Sequence, residues 1–139
     1  IRNSFLDGLD IDFSNIEIHS VMIDNAKNDC LDVSAGSYKF DILNLSNCGD
    51  KGVSVGEKSN VIIKKAKINS SSIGIASKDS SITELSELKL KDMQTCVSAY
   101  NKKQEYSGAF LKVNTFECRD FVKKLDVDKY SKIFIDEEL

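Results

Sequence analysis

The sequence contains no proline and no tryptophan, and only one histidine. Without Pro every residue keeps its backbone donor, so long uninterrupted hydrogen-bonded ladders are open to the chain. There is no basic excess either. A net charge of −3 and a pI of about 5.2 argue against nucleic acid as a partner, because such a binder needs a basic stripe. The pairs Lys64-Lys65, Lys102-Lys103 and Lys123-Lys124 read as parts of a solvated face. No apolar run approaches the ~20 residues that span a bilayer, so no membrane span is expected. His19 lies on the outward side of "IEIHSV" with no partner in sequence reach, and reads as an exposed residue.

What the chain does have is a rhythm. Gly8, Cys30, Gly52, Gly74 and Cys96 follow one another at intervals of 22 residues, each trailed by an aliphatic residue: Leu9, Leu31, Val53, Ile75, Val97. Behind each comes apolar–polar alternation, as in Leu9-Asp10-Ile11-Asp12 and Leu31-Asp32-Val33-Ser34. Period-two alternation places one face of a strand in the core and the other in water. A second alternating stretch follows in each repeat ("NIEIHSVMID", "YKFDILNLSN", "NVIIKKAKIN"), with turn formers such as Gly36-Ser37 and Asp79-Ser80-Ser81 between. No stretch carries a helical stripe with caps.

These features predict an all-β chain. The expected fold is a right-handed parallel β-helix of about six coils with a 22-residue period. A leucine-rich repeat of similar length is excluded by the missing Leu-x-x-Leu-x-Leu-x-x-Asn pattern. Residues 1–139 are expected to form a single domain. Since the chain starts at Ile1 rather than Met, it is expected to be a fragment or one domain of a larger protein. The register slips once: Val97 and Leu125, the next matching position, are 28 residues apart. The six extra residues should protrude as a loop within 101–109, either bordering a binding surface or acting as a local cap.

Four cysteines are present. Cys30 and Cys96 share a place in the repeat three coils apart, so stacking at ~4.8 Å per rung separates them by ~14 Å, beyond disulfide reach. Cys48 and Cys118 have no CxxC pair or His partner that would make a metal site. All four are therefore expected to be buried free thiols acting as small hydrophobes, and the redox compartment stays open. Asn44 and Asn69 begin Asn-x-Ser sequons.

Alternation also lines up the outward residues. Asp10, Asp32, Ser54, Ala76 and Ser98 should form one ladder facing water, continued by Asp126, and Asp12, Ser34, Gly56, Lys78 and Tyr100 the adjacent one. Carboxylates, hydroxyls, a lysine and an aromatic in one strip suit sugar hydroxyls. A polar sheet face that is merely solvated has the same composition. Asp10, Asp32, Ser54, Lys78 and Tyr100 are the candidate ligand contacts.

The phrases Phe5-Leu6-Asp7-Gly8-Leu9-Asp10, Asn28-Asp29-Cys30, Asp50-Lys51-Gly52-Val53-Ser54-Val55-Gly56 and Ile75-Ala76-Ser77-Lys78 resemble those of pectin-lyase-like β-helices, above all the polygalacturonase branch. The resemblance covers residues 5–80. It implies a polysaccharide-related role and maps catalytic positions onto Asp7, Asp29, Lys51 and Lys78. Asn28 stands where one acid is needed, Lys51 where a histidine is, and Ala76 where an arginine is. Inverting hydrolysis needs one carboxylic acid and one carboxylate base, so these replacements point away from a hydrolase. A lyase or epimerase would use Lys51 or Lys78 as base. No cofactor is expected, except that Asp7, Asp29 and Asp32 would suit Ca²⁺ through oxygen ligands. The expectation is a non-catalytic carbohydrate-recognition or presentation module, extracellular or on a cell surface. A lyase or epimerase is the alternative, and a scaffold whose coils stack end to end is a third reading.

Overall fold

A computed structural model describes all 139 residues and shows nine strands and no helix. No helix is therefore long and apolar enough to cross a membrane. The strands are β1 (Arg2–Ser4), β2 (Leu9–Asp12), β3 (Asn15–Ala26), β4 (Leu31–Ser34), β5 (Ser37–Gly56), β6 (Asn60–Lys78), β7 (Ile82–Tyr100), β8 (Phe110–Val127) and β9 (Lys132–Glu138). All pairings are parallel, along the order β1-β3-β5-β6-β7-β8-β9, with β2 on β4 and β4 on β5. The molecule is a parallel β-solenoid of about six turns, as the 22-residue rhythm predicts.

The expected aliphatic ladder is present. Leu9 pairs with Leu31, Leu31 with Val53, Val53 with Ile75 and Ile75 with Val97. Leu31, Val53, Ile75 and Val97 are fully buried, and Leu9, with a rung on one side only, is half-buried. Each such side chain contributes roughly 1.5–3 kcal/mol on burial. The second stretch of each repeat supplies further ladders: Phe40–Ile63–Leu85–Val113, and Leu43–Ala66–Leu88–Phe116, where large and small residues alternate to fill the interior. Ser77 and Thr83 also point inward. Their hydroxyls lie 3.0 Å apart, with Ser81 Oγ 2.8 Å from Ser77, so the buried polar atoms satisfy one another.

The chain turns its corners on non-glycine residues at positive φ. Asn3, Asn25, Asn47, Ser70, Asp92 and Asp120 stack at one corner, with φ between 54° and 65°. Short polar side chains tolerate the left-handed region because they hydrogen-bond locally. Here they also bond between rungs: Asn25 Nδ2 donates to Asn3 Oδ1 at 2.9 Å, and Ser70 Oγ donates to Asp92 Oδ2 at 2.7 Å. Gly52 answers a different demand. A Cβ there would lie 2.6 Å from the Gly74 carbonyl oxygen and 2.7 Å from Ile68 Cγ2.

The cysteines correct the expectation of free thiols. Cys30 is bonded to Cys48 and Cys96 to Cys118, and none is free. Cys30 and Cys96 indeed do not meet each other. However, a coil returns over itself after one period, so residues 18 and 22 apart in sequence become neighbours across the interior. Comparing equivalent positions only, three coils apart, hides these pairings.

The insertion lies where expected, as a loop over 101–109 between β7 and β8. Buried Asp79 fastens it, its Oδ1 accepting from the N–H groups of Lys102 at 2.7 Å and Lys103 at 2.9 Å. Lys103 pairs with Glu57, and the Lys58 ammonium lies 5.9 Å from the Tyr106 ring centre.

Candidate functional site

The alternation that buries Leu31 and Val53 turns Asp32 and Ser54 the other way. Asp10, Asp32, Ser54, Ala76, Ser98 and Asp126 pair in succession as one ladder. On one side stand Lys51, Ile73, Thr95 and Lys123, preceded by Asp29 and Asp7. On the other stand Asp12, Ser34 and Gly56, then Lys78 beside Tyr100. All five candidate ligand contacts share this face.

One feature departs from the expected water-facing ladder. Ser54, Ala76 and Ser98 point out of the core yet are 0–1% exposed. They are small residues between rows that carry Lys51, Lys78 and Tyr100, whose longer side chains cover them. The strip is therefore a shallow trough closed over its middle rungs, with Asp10 and Asp126 exposed at its ends. The Ser54 hydroxyl is buried there and has no hydrogen-bond partner.

The trough concentrates charge of both signs. Burial and the neighbouring charge of Asp29 push the Asp32 carboxyl up to about 6, against a partial offset from Lys78. Burial also raises Asp29, despite Lys51. Lys78 is pulled down by burial and by the charge of Lys51, with Lys102 of the insertion loop adding to the effect. Lys51 is held up instead: burial pulls it down, but the 2.6 Å hydrogen bond to Asp50 and the charge of Asp29 outweigh that. Its ammonium is 4.0 Å from Asp29 Oδ1. Burial raises the Tyr100 phenol, which therefore stays neutral and able to donate.

Of the four candidate catalytic residues, Asp29 and Lys51 are in direct contact, and Lys78 interacts with both through charge. Asp7 sits at the acidic end. Its Oδ1 accepts from Asn28 Nδ2 at 2.7 Å and from the Asp29 N–H at 3.0 Å. The carboxylates that gather there are Asp7, Asp10 and Asp32, whose oxygens lie within 4.8 Å of one another. Asp29, expected in that set, is outside the cluster and bonds to Lys51. Three carboxylates are fewer than the 6–8 oxygens that Ca²⁺ takes, so an ion there would need water or ligand oxygens to complete its shell.

Asp50 and Lys102, neither of them a candidate site residue by sequence, also bear on the site. Asp50 bonds Lys51, and the charge of Lys102, expected only as part of a solvated face, acts on Lys78. Asp50 is adjacent to Lys51 in the chain, and Lys102 belongs to an insertion whose place was visible. His19 is exposed, as expected, with Nδ1 2.9 Å from Asp41 Oδ2. Comparison of the chain with protein-family models, with curated proteins and with solved structures gives no match to any of them, so the family likeness rests on the quoted phrases alone and the solenoid on the coordinates.

Proposed function

We propose that the trough is a carbohydrate-recognition site on a non-catalytic β-helix module of a secreted or surface protein. The observation that carries this reading is the placement of Asp10, Asp32, Lys78 and Tyr100 on neighbouring rungs of one outward face. Asp10 and Asp32 accept from sugar hydroxyls, Lys78 donates, and Tyr100 offers a ring face for stacking. Two disulfides support the extracellular placement, since such bonds persist in oxidising compartments.

A glycan array, screened with and without Ca²⁺, tests the proposal. Binding is expected, weakened by Tyr100→Ala and by Lys78→Ala. No binding together with no cleavage of pectate, alginate or other uronates leaves a structural scaffold as the reading. Ca²⁺ dependence lost in Asp10→Asn would assign an ion to the Asp7, Asp10 and Asp32 cluster.

A second reading, proton abstraction by a lyase or epimerase, is favoured by one observation: the Lys51 ammonium lies 4.0 Å from Asp29 Oδ1 on the face that also carries Asp32 and Lys78. Lys78 is the better base of the two lysines, because Lys51 is tied to Asp50. Turnover of a uronate polymer abolished by Lys78→Ala would establish this reading in place of the first, and abolition by Lys51→Ala would make Lys51 the base.

A further inference from the structure

The largest hollows lie on another face, beyond the corner that Asn47, Ser70 and Asp92 form. Three of them adjoin there. One of about 420 Å³ includes Arg2, Asn44 and Asn69, one of about 300 Å³ includes Lys65 and Glu87, and one of about 480 Å³ includes Lys91 and Arg119. Lys67 lines all three, so they form one groove crossing several rungs along the solenoid axis.

The charges along it are unusual for a chain of net charge −3. Lys67 pairs in register with Lys89, and Lys91 with Arg119. Like charges directly opposite on neighbouring strands are destabilising, and here two such pairs lie side by side. Glu87 is shared by Lys65 and Lys89, and Glu117 pairs with Arg119, at 2.9–3.7 Å, while Asp24 faces Arg2 in the first hollow. Cations therefore outnumber carboxylates, and Lys67 and Lys91 have no ion-pair partner.

We infer that this groove binds an extended, densely anionic polysaccharide of the sulfated class, lying along the coil axis. Cations on successive rungs repeat at ~4.8 Å, which favours closely spaced anionic groups. Asn44, Ser46 and Asn69 between the cations offer amide and hydroxyl partners for the hydroxyls that separate sulfates on a sugar chain. No aromatic side chain lines the three hollows, so the stacking platform of a single-stranded nucleic-acid site is missing. The inference does not rest on the trough: the two sites share no residue.

The test is titration with a heparin-type sulfated polysaccharide at rising salt, using disulfide-intact protein free of N-linked glycans, because Asn44 and Asn69 would carry such glycans inside the groove. Binding is expected at low salt and should weaken steeply as salt screens the contacts. Lys67→Gln combined with Lys91→Gln should lower affinity about tenfold or more, since each lost cation removes a salt-sensitive contact. Lys39→Gln combined with Lys112→Gln, on a different face, should leave it unchanged. The thermal midpoint of the unliganded Lys67/Lys91 variant should stay level or rise, which separates loss of binding from loss of fold. No binding at low salt overturns the inference, as does equal weakening by the control pair. Tighter binding of duplex DNA, an acidic peptide or anionic vesicles at the same salt assigns the groove to that partner instead and also overturns it. Because Tyr100→Ala and Lys78→Ala act only on the trough, failure there and failure here are distinguishable.

Discussion

The N–H of Lys51 donates to Asp29 Oδ1 at 3.0 Å, and the N–H of Asp29 donates to Asp7 Oδ1, also at 3.0 Å. One carboxylate per coil thus receives the backbone of the next coil along the wall of the trough. Asp29 also lies 4.0 Å from the Lys51 ammonium, so one side chain ties two rungs together and helps place a candidate catalytic residue. Asp29→Ala should cost about 1–3 kcal/mol, because it leaves a shielded N–H without its acceptor. Asp29→Asn keeps an acceptor and should cost less. Urea unfolding of both variants measures the difference, and equal losses would refute the assignment.

Asp32 should make stability depend on pH. Its carboxyl is pushed up to about 6 in the fold from the ordinary 3.8, chiefly by burial, so the folded state holds the proton more tightly. Its contribution favours the fold in acid and is lost as pH rises from about 4 to about 6. Discounted for the part of the carboxyl that water still reaches, the penalty at neutral pH is ~1 kcal/mol. Asp32→Asn should remove it, stabilising the protein at neutral pH but not near pH 4. Paired denaturation curves at the two pH values check this, and an NMR titration of Asp32 near 4 would contradict it.

Ser54→Ala should separate folding from binding. The hydroxyl makes no bond within the protein, so its removal should leave stability unchanged or raise it by up to ~1 kcal/mol. Affinity for a trough ligand should hold, because the residue is fully covered by its neighbours. A clear loss of stability in the free variant would show that the hydroxyl already has a partner.

The disulfides predict a thiol count. Protein unfolded without reductant should give no thiol reaction, and reduced protein should give four thiols. Each bridge should contribute about 2–4 kcal/mol through the loop it closes, so reduction should lower the thermal midpoint markedly. Free thiols in protein folded under oxidising conditions would contradict the pairing.

Val53→Asp should prevent folding, because it places an unpaired charge between Leu31 and Ile75 at a position with no exposure. Loss of the β-type circular dichroism is the expected outcome, and a folded variant would overturn the buried ladder.

The solenoid is legible in the sequence because one period sets what repeats, the aliphatic rungs at Leu31, Val53 and Ile75 and the outward ladder through Asp32 and Ser54. The single break in that period marks the loop at 101–109. Much of what escapes is lateral. Cys30 meets Cys48 across a coil, Asp50 folds back on Lys51, and the charge of Lys102 in the insertion acts on Lys78. None of these relations repeats every 22 residues. The burial of Ser54 escapes for a related reason. Alternation tells inward from outward, whereas the depth of a trough depends on the side chains of flanking columns. The polar corner from Asn3 to Asp120 does carry a periodic signal, visible once Asn, Asp and Ser are aligned at its spacing.

The loop between Tyr100 and Phe110 shows how this architecture accommodates novelty. Six extra residues leave the flanking strands in register, with Val97 on Leu125 on one side and Ile82 on Phe110 on the other. Asp79 grips the departing backbone, and Ser80 Oγ accepts from the Ser107 N–H at 2.8 Å where it returns. The cost of a longer loop grows only with the logarithm of its length, so this gap is a socket in which much larger segments can be exchanged. Such a segment would emerge next to Lys78 and Tyr100, allowing a lineage to alter what approaches the trough while every rung of the coil remains in place.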